Sequence, residues 1–582
     1  MALDTLTLVS WCRICLQVIG VVVTFLSLIS VNALAIEVPG QVETPGQIEK
    51  RFEPPVLPKS TTVQPPLEVD IPERLPPADA EKIKFVLEKI VVEGSTVYRE
   101  NDLLPLYRQF LKKEISLADV YKIADAITIK YRNEGYILSR AFVPPQRISE
   151  GVVQLQVLEG YINEVIIDGP VRGRQKLLEA YGDKITRSRP LQAKVLERYL
   201  LLADDLPGVT AKSVLNPSGQ PGASDLILII VDHKTLDGNV NVDNRGTSFL
   251  GPFEASAGIN INSIFGLYEQ TGMRVILASP TPNDIEELIY LQVTHEEQLG
   301  TEGTKFSLFG NVSRSKPGNA PTFRLQELEV VGNNITLSAS LSHPFIRSRG
   351  QNSSATLRFI YRNSRTDLLG STQSEDRLRV VNLGLSYDFA DRLRGVNLVN
   401  MEVSRGLDVL DATPPGPERT RAEGRNDFAK VAGQIFRLQQ LAPSWSLLGT
   451  VTGQYAFDKV LASEEFSLGG SQFGRAYDPA ELTGDHGAAL EVELQYGRTV
   501  GKRYFKDFQA YIFYDVGTVW RRKTLSETRP PMESLASAGA GARYNLTDTI
   551  SGYLEVDKPL TREVTARGNS NVRFFFSIGK RF

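Results

Sequence analysis

The side chains able to do covalent chemistry are few in this chain, and their spacing does not suit it. Its four histidines, His233, His295, His343 and His486, lie far apart and show no ligand spacing. They read as surface or interior residues of an ordinary kind rather than as metal ligands. No His-Glu-x-x-His, nucleophile elbow or Gly-x-x-x-x-Gly-Lys-Ser/Thr run occurs, which excludes a nucleotide-driven machine on motif grounds. The adjacent Glu296 and Glu297 read as a solvated turn rather than an acid/base pair. The expectation is therefore no enzyme, no cofactor and no metal.

Two other segments could do non-covalent chemistry. Leu468 to Pro479 reads LGGSQFGRAYDP and sits in a long break between strands, 458–486. Glycines beside Phe473, Arg475 and Tyr477 predict a tight hairpin with an anchored tip. Downstream, Phe513-Tyr514-Asp515-Val516-Gly517 lies within a strand from Gln509 to Trp520. Alternation puts Ala510, Ile512, Tyr514, Val516 and Trp520 on one face and Gln509, Tyr511, Phe513, Asp515 and Gly517 on the other. If the apolar face meets lipid, Asp515 is an inward carboxylate. An arginine on a long loop could meet it through a charge-assisted, even bidentate contact. Such a contact contributes about 1.5–3 kcal/mol when shielded and less when hydrated. The residues alone leave the alternative open: Arg475 as a solvated loop charge, and Asp515 as one interior charge among many.

What positions these residues is an all-β region, 235–582. Leu490, Val492, Leu494 and Tyr496 alternate with Glu491, Glu493 and Gln495. Leu357, Phe359 and Tyr361 alternate with Thr356, Arg358 and Arg362, and Leu383, Leu385, Tyr387 and Phe389 with Asn382, Gly384, Ser386 and Asp388. Val572, Phe574, Phe576 and Ile578 lead to the terminal Phe582. Many charges on the polar face, over segments of about ten residues, predict a membrane barrel with a wet lumen rather than a sandwich. About sixteen strands are expected, an even number. Thr322 to Val331 is assigned to a loop on parity.

The chain before the barrel is organised differently. Arg13, the apolar run Ile14 to Ser30 and Ala33-Leu34-Ala35 read as a secretory signal, 1–35, cleaved after Ala35. The only cysteines, Cys12 and Cys15, would leave with it. Residues 36–80 form a Pro-rich linker with a short helical piece around Thr44 to Arg51, a candidate plug. Two β-α-α-β-β modules follow, 81–160 and 161–233. The first runs from a strand Phe85 to Val92 through helices Glu100 to Leu111 and Leu117 to Tyr131, the latter capped by Ser116, to strands Ser139 to Ile148 and Gly151 to Leu158. The second repeats the order from Ile162 to Asp232. No later stretch is apolar enough to span as a helix, so a closed barrel is the only spanning structure open to the mature chain. A net charge of −3 gives no field for nucleic acid.

Across about nine-tenths of its length the chain resembles the outer-membrane transporters of two-partner secretion, the FhaC and ShlB type, within the superfamily that includes BamA. The motifs are YRNEGYILSRAFVPP (131–145) with Leu155 to Gly160, Val242-Asp243-Asn244-Arg245-Gly246, Phe513-x-Asp515-x-Gly517, and Gly484-Asp485-His486-Gly487 leading to Glu491. The sixth-loop signature Val-Arg-Gly-Tyr/Phe is matched by Gly474-Arg475-Ala476-Tyr477, in which the first and third positions depart. The resemblance implies two POTRA domains in the periplasm and a barrel of sixteen strands in the outer membrane. It implies a site at Gly474, Arg475, Tyr477, Phe513, Asp515 and Gly517. It also implies an unfolded secreted partner of the adhesin or haemolysin kind, taken by the POTRA domains through β-augmentation and passed outward without ATP. A monomer in lipid, recognised through Phe582 by the barrel-assembly machinery, is expected. The alternative is a BamA-like assembly factor; a general porin needs no paired periplasmic modules.

Overall fold

The computed structural model describes residues 43–53, 58–59, 79–171, 173–279, 287–414, 416–523 and 529–582. The signal expected at 1–35, with Ala33 and Ala35, and most of the Pro-rich stretch lie outside the described residues.

The helix expected near Thr44 is Pro45–Arg51. Proline at its first position needs no hydrogen-bond partner there, and the Thr44 N–H donates to the Gln47 side chain at 2.9 Å. It lies inside the barrel, with Ile48 fully buried.

The first module differs from expectation at two strands. The strand read as Phe85 to Val92 is two, Lys84–Val86 and Lys89–Glu93. The chain changes partner at buried Leu87: the first piece pairs with Glu114–Ser116, the second runs parallel to Val152–Leu158. Ser139 to Ile148 shrinks to Arg140–Phe142, because Pro144 and Pro145 have no N–H for a ladder. Helix Leu117–Asn133 follows its period: Val120, Ile123, Ala124, Ile127 and Tyr131 are all buried. Ser116 caps it, accepting from the Asp119 N–H at 3.3 Å while Asp119 accepts from the Ser116 N–H at 3.0 Å. The second module repeats the order: strand Tyr161–Asp168, helices Gln175–Thr186 and Ala193–Asp204, strands Val209–Pro217 and Ala223–His233.

That second module is fastened to the barrel. Tyr268, from the turn after the second barrel strand, is part of the module's own apolar core with Leu178, Tyr181 and Leu202. Around it, Lys184 pairs with Glu302 at 2.7 Å, and Arg347 clasps Asp205 at 2.7 and 2.8 Å.

Sixteen antiparallel strands close the barrel, from Leu236–Asp243 to Arg573–Arg581, the last pairing with the first. Thr322 to Val331 is indeed not a strand of its own: it holds one 3-10 turn, Gln326–Leu328, before strand Val331–Arg347 begins. Glu296 and Glu297 are not a solvated turn. They end the fourth strand, Leu288–Leu299, where the pleat sends Glu297 into a buried position and Glu296 toward Lys305 at 2.6 Å. The pleat holds elsewhere. Leu357, Leu385, Ile512 and Phe574 are exposed on the outer face, while Arg362, Glu493 and Asp515 are buried on the inner one, as a lipid-facing belt and a polar lumen require.

Candidate functional site: a loop clamped inside the barrel

Residues 457–485 connect the eleventh strand, Trp445–Ala456, to the twelfth, His486–Lys502. Instead of leaving the barrel, this loop folds inward as a small hairpin, Phe466–Leu468 against Leu482–Gly484. Leu468, Phe473, Ala476, Tyr477 and Leu482 form a buried apolar cluster with Ala489, Val519 and Leu535 of the wall. Burial of this kind stabilises at about 25 cal/mol per Å², so the loop carries its own adhesive face.

The chemistry sits at the tip. The sequence-predicted residues Gly474, Arg475, Tyr477, Phe513, Asp515 and Gly517 are all brought to one place. The pairing differs in detail from a simple arginine–carboxylate clasp. Asp515 accepts the backbone N–H groups of Gly474 and Arg475 on one oxygen, at 3.2 and 3.1 Å. The Arg475 guanidinium comes no nearer to Asp515 than 3.5 Å. It is held chiefly by Glu493, at 2.7 Å, and by Glu491, with Glu555 at 3.5 Å. Its flat face lies over the Phe513 ring, 3.9 Å from the centroid. Asp515 and Glu493 are fully buried and Arg475 nearly so. In such surroundings a charge persists only with well-placed partners.

Glycines make this approach possible. Gly474 has φ +79°, a left-handed conformation that suits glycine. The glycine expected one residue after the arginine has moved to the residue before it, and the positive φ sits there; Ala476 is not among the positive-φ residues. Gly517 faces Leu468 of the loop: a Cβ on it would lie 2.6 Å from that side chain. Phe513 in turn lies flat over Gly539 of the next strand, where a Cβ would meet its ring at 2.6 Å. Tyr477 donates to the Ala536 carbonyl at 3.2 Å.

Sequence reasoning missed the rest of the clamp. Arg245 reaches the Arg475 carbonyl at 2.9 Å, pairs with Glu555 and lies 3.3 Å from Asp557. Arg573 reaches the Ala476 carbonyl at 2.9 Å and Asp478 at 2.6 Å. Arg543 completes the set, bridging to Glu493 at 2.5 Å. Alternation already put Glu491 and Glu493 on the polar face, and the same parity could have found Glu555 and Asp557, since each alternates with an apolar neighbour.

The Pro45–Arg51 helix leans on the same loop. Gln47 donates to the Ala462 carbonyl at 3.2 Å, and Gly46 packs on Ser463. Glu49 pairs with Arg362 at 3.1 Å, and Arg362 reaches Glu464 of the loop at 2.7 Å. A lumen cavity of about 520 Å³ remains beside them, lined by Ser354, Ser386, Gln434 and Thr452 with Gln472 and Phe473 of the loop. Three histidines lie away from this site: His295 bonds to Thr271, His343 to Thr304, and His486 stacks on Tyr455.

Comparison with known proteins agrees with this architecture. Residues 85–160 match the POTRA domain, ShlB-type, and residues 222–544 match the haemolysin secretion/activation protein ShlB/FhaC/HecB family. The heme/hemopexin transporter protein HuxB of Haemophilus influenzae is 22% identical over 518 residues, covering 86% of this chain and 88% of that one. The outer membrane transporter CdiB of Dickeya dadantii is 26% identical over 71% of this chain and 72% of its own. The solved structure of CdiB from Escherichia coli superposes with a TM-score of 0.70 at 19% identity, covering 90% and 94% of the two chains, a likeness of fold. With more than half its length matched by one family profile, the chain belongs to the ShlB/FhaC/HecB family of haemolysin secretion/activation proteins.

Proposed function

We propose that this chain carries one secreted exoprotein of the adhesin or haemolysin kind across the outer membrane through its own lumen. It lies in that membrane as a barrel, with its POTRA region in the periplasm. The observation carrying the reading is the inward loop. A long segment is held across the lumen by ionic contacts and an apolar patch rather than built into the wall ladder. Such contacts can be exchanged without unfolding the barrel, which is what a gated conduit for a polypeptide needs.

Reception of the unfolded partner is assigned to the modules. Strand Val209–Pro217 is the edge of its sheet and is exposed along most of its length, which supports pairing with an extended segment. No nucleotide step is assigned. Outward bias comes from the partner folding outside, which removes it from the pool able to return. The Pro45–Arg51 helix acts as a plug, and Phe582 as the recognition signal for barrel assembly, the protein working as a monomer in lipid.

The test is secretion. Deleting the chain should leave its secreted exoprotein in the periplasm, and re-expression should restore it to the medium. An assembly factor would instead lower the amounts of unrelated outer-membrane barrels, with export of one protein no more affected than the rest.

A further inference from the structure

Loop 457–485 has a second fastening that the clamp at its tip does not explain. Asp485, in the Gly484-Asp485-His486-Gly487 segment, is fully buried where the loop rejoins the wall. Both its oxygens are used. Arg421, from the loop after the ninth strand (Gly395–Gly406), donates to them in bidentate fashion at 2.7 and 3.0 Å. The Val460 N–H, at the loop's other root, donates at 2.9 Å. The Arg522 N–H, from the loop after the thirteenth strand (Phe505–Trp520), donates at 2.9 Å. One carboxylate thus joins three successive outer loops and both ends of one of them.

Neighbouring contacts follow the same pattern. Arg421 donates to the Val460 carbonyl at 2.7 Å and pairs with Glu465 at 3.0 Å. Arg529 pairs with Glu465 at 3.3 Å and bonds to Thr483 at 3.0 Å. The polarity is opposite to that of the Arg475 contacts. At Arg475 the loop supplies the cation and the wall the carboxylates; at the root the loop supplies the carboxylates and its neighbours the cations.

We infer that Asp485, held by Arg421, is a positioning residue for export: it fixes the root of the inward loop as a pivot, so that the tip swings free of its clamp without the loop leaving the lumen. The inference rests on the transport reading above. Bidentate arginine–carboxylate geometry suits a pivot, because two parallel bonds fix orientation as well as distance. The described contacts of Asp485 and Arg421 are with the roots of the loop and its neighbours, so their effect passes through the loop's placement.

The test uses the full chain in its membrane. Cys12 and Cys15 are the only cysteines, and both lie in the expected signal segment. A single thiol introduced as Gln472→Cys therefore reports on the tip when spin-labelled. Asp485→Asn and Arg421→Gln should each raise the mobile fraction of that label and lower export at least about tenfold, the scale of one charge-assisted hydrogen bond. The heat-modifiable folded band should persist. Arg421→Lys, which keeps the charge and loses the fork, should fall between. Wild-type label spectra, or wild-type export, in both Asp485→Asn and Arg421→Gln overturn the inference. If Asp485→Asn fails to fold, Arg421→Gln decides. If the parent chain itself exports nothing, the transport reading fails and the label spectrum alone judges the pivot.

Discussion

Asp515 accepts the backbone N–H of Arg475 at 3.1 Å, while the guanidinium of that same arginine goes to Glu493 at 2.7 Å. One residue is therefore held twice, its main chain by one carboxylate and its side chain by others. The main-chain contact reads the conformation of the loop tip; the side-chain contacts read its charge.

Arg475→Ala is expected to abolish export of the partner while leaving a folded, heat-modifiable barrel. Removing one member of a buried ionic set costs about 3–5 kcal/mol, because Glu491, Glu493, Asp515 and Glu555 lose the cation they share. Asp515→Ala should behave similarly, and Asp515→Asn more mildly, since its amide oxygen can still accept a backbone N–H. Exchanging the two charges, Arg475→Asp with Asp515→Arg, should not restore export: an arginine at 515 cannot accept the N–H groups of 474 and 475. Export by the exchanged pair at parental levels would overturn this division of labour.

Gly517→Ala should displace the loop hairpin, because the new Cβ would come 2.6 Å from a Leu468 methyl. Overpacking of this kind costs about 1–3 kcal/mol. Leu468→Ala in the same chain should recover part of the lost export. A secretion assay on the two single variants and the pair measures the coupling directly.

Much of this site was legible in the pleat. Period-two alternation in Gln509 to Trp520 put Phe513, Asp515 and Gly517 inward, and all three are buried there or face the loop. The helical period likewise placed Ile123, Ile127 and Tyr131 in a core. The partners were not legible. Arg475 meets Glu493 and Glu555, and Arg245 meets Glu555 and Asp557. Those meetings depend on the register of strands far apart in sequence and on the closure of the last strand against the first. Alternation says which way a side chain points; it does not say which height on the wall it shares with another. Leu87 shows the converse limit: a continuous apolar run conceals a change of sheet partner.

The proposed plug, helix Pro45–Arg51, is expected to be released by Gly46→Val. A Cβ at position 46 would stand 2.5 Å from the Ser463 Cβ, and neither atom is the end of a flexible chain. A cost of about 1–3 kcal/mol would raise the undocked fraction of the helix about 5- to 150-fold. Planar-bilayer conductance without the exoprotein should rise, and Ser463→Gly in the same chain should bring it back down. Unchanged conductance in Gly46→Val would remove the helix from the closure.

Acid should loosen the first module. Burial raises the pKa of Glu159, but bonds from the Thr96 hydroxyl, the Tyr131 hydroxyl and the N–H groups of Thr96 and Val97 outweigh it, leaving it below its ordinary 4.5. A carboxylate depressed in the folded state contributes stability that is present above its unfolded pKa and lost as pH falls through the folded one. Protection of the Thr96 and Val97 amides, taken relative to the intrinsic exchange rate at each pH, should therefore fall below about pH 4.5. In Glu159→Gln that acid step should be absent, with protection lower at every pH.

Tyr268 offers the sharpest test of how the second module is attached. Its ring comes from a barrel turn but is buried among Leu178, Tyr181 and Leu202 of the module, and Gly173 is bare beside it, a Cβ there falling 2.4 Å from the ring. Truncating a buried aromatic costs about 3–5 kcal/mol. In Tyr268→Ala that loss falls on docking as well as on the module's core, while the barrel ladder is untouched. The Lys184–Glu302 pair is partly exposed and weak, which leaves the more shielded, bidentate Arg347–Asp205 pair as the main ionic fastening beside the shared core. Spin labels on the module and on the barrel wall should give a narrow distance distribution in the parent and a broad one in Tyr268→Ala, with heat-modifiability of the barrel retained. If the distribution stays narrow, the module is held by its ionic rim and not by the shared core. If it broadens and export falls with it, the handover of the partner from module to lumen needs a fixed geometry that a flexible tether does not supply.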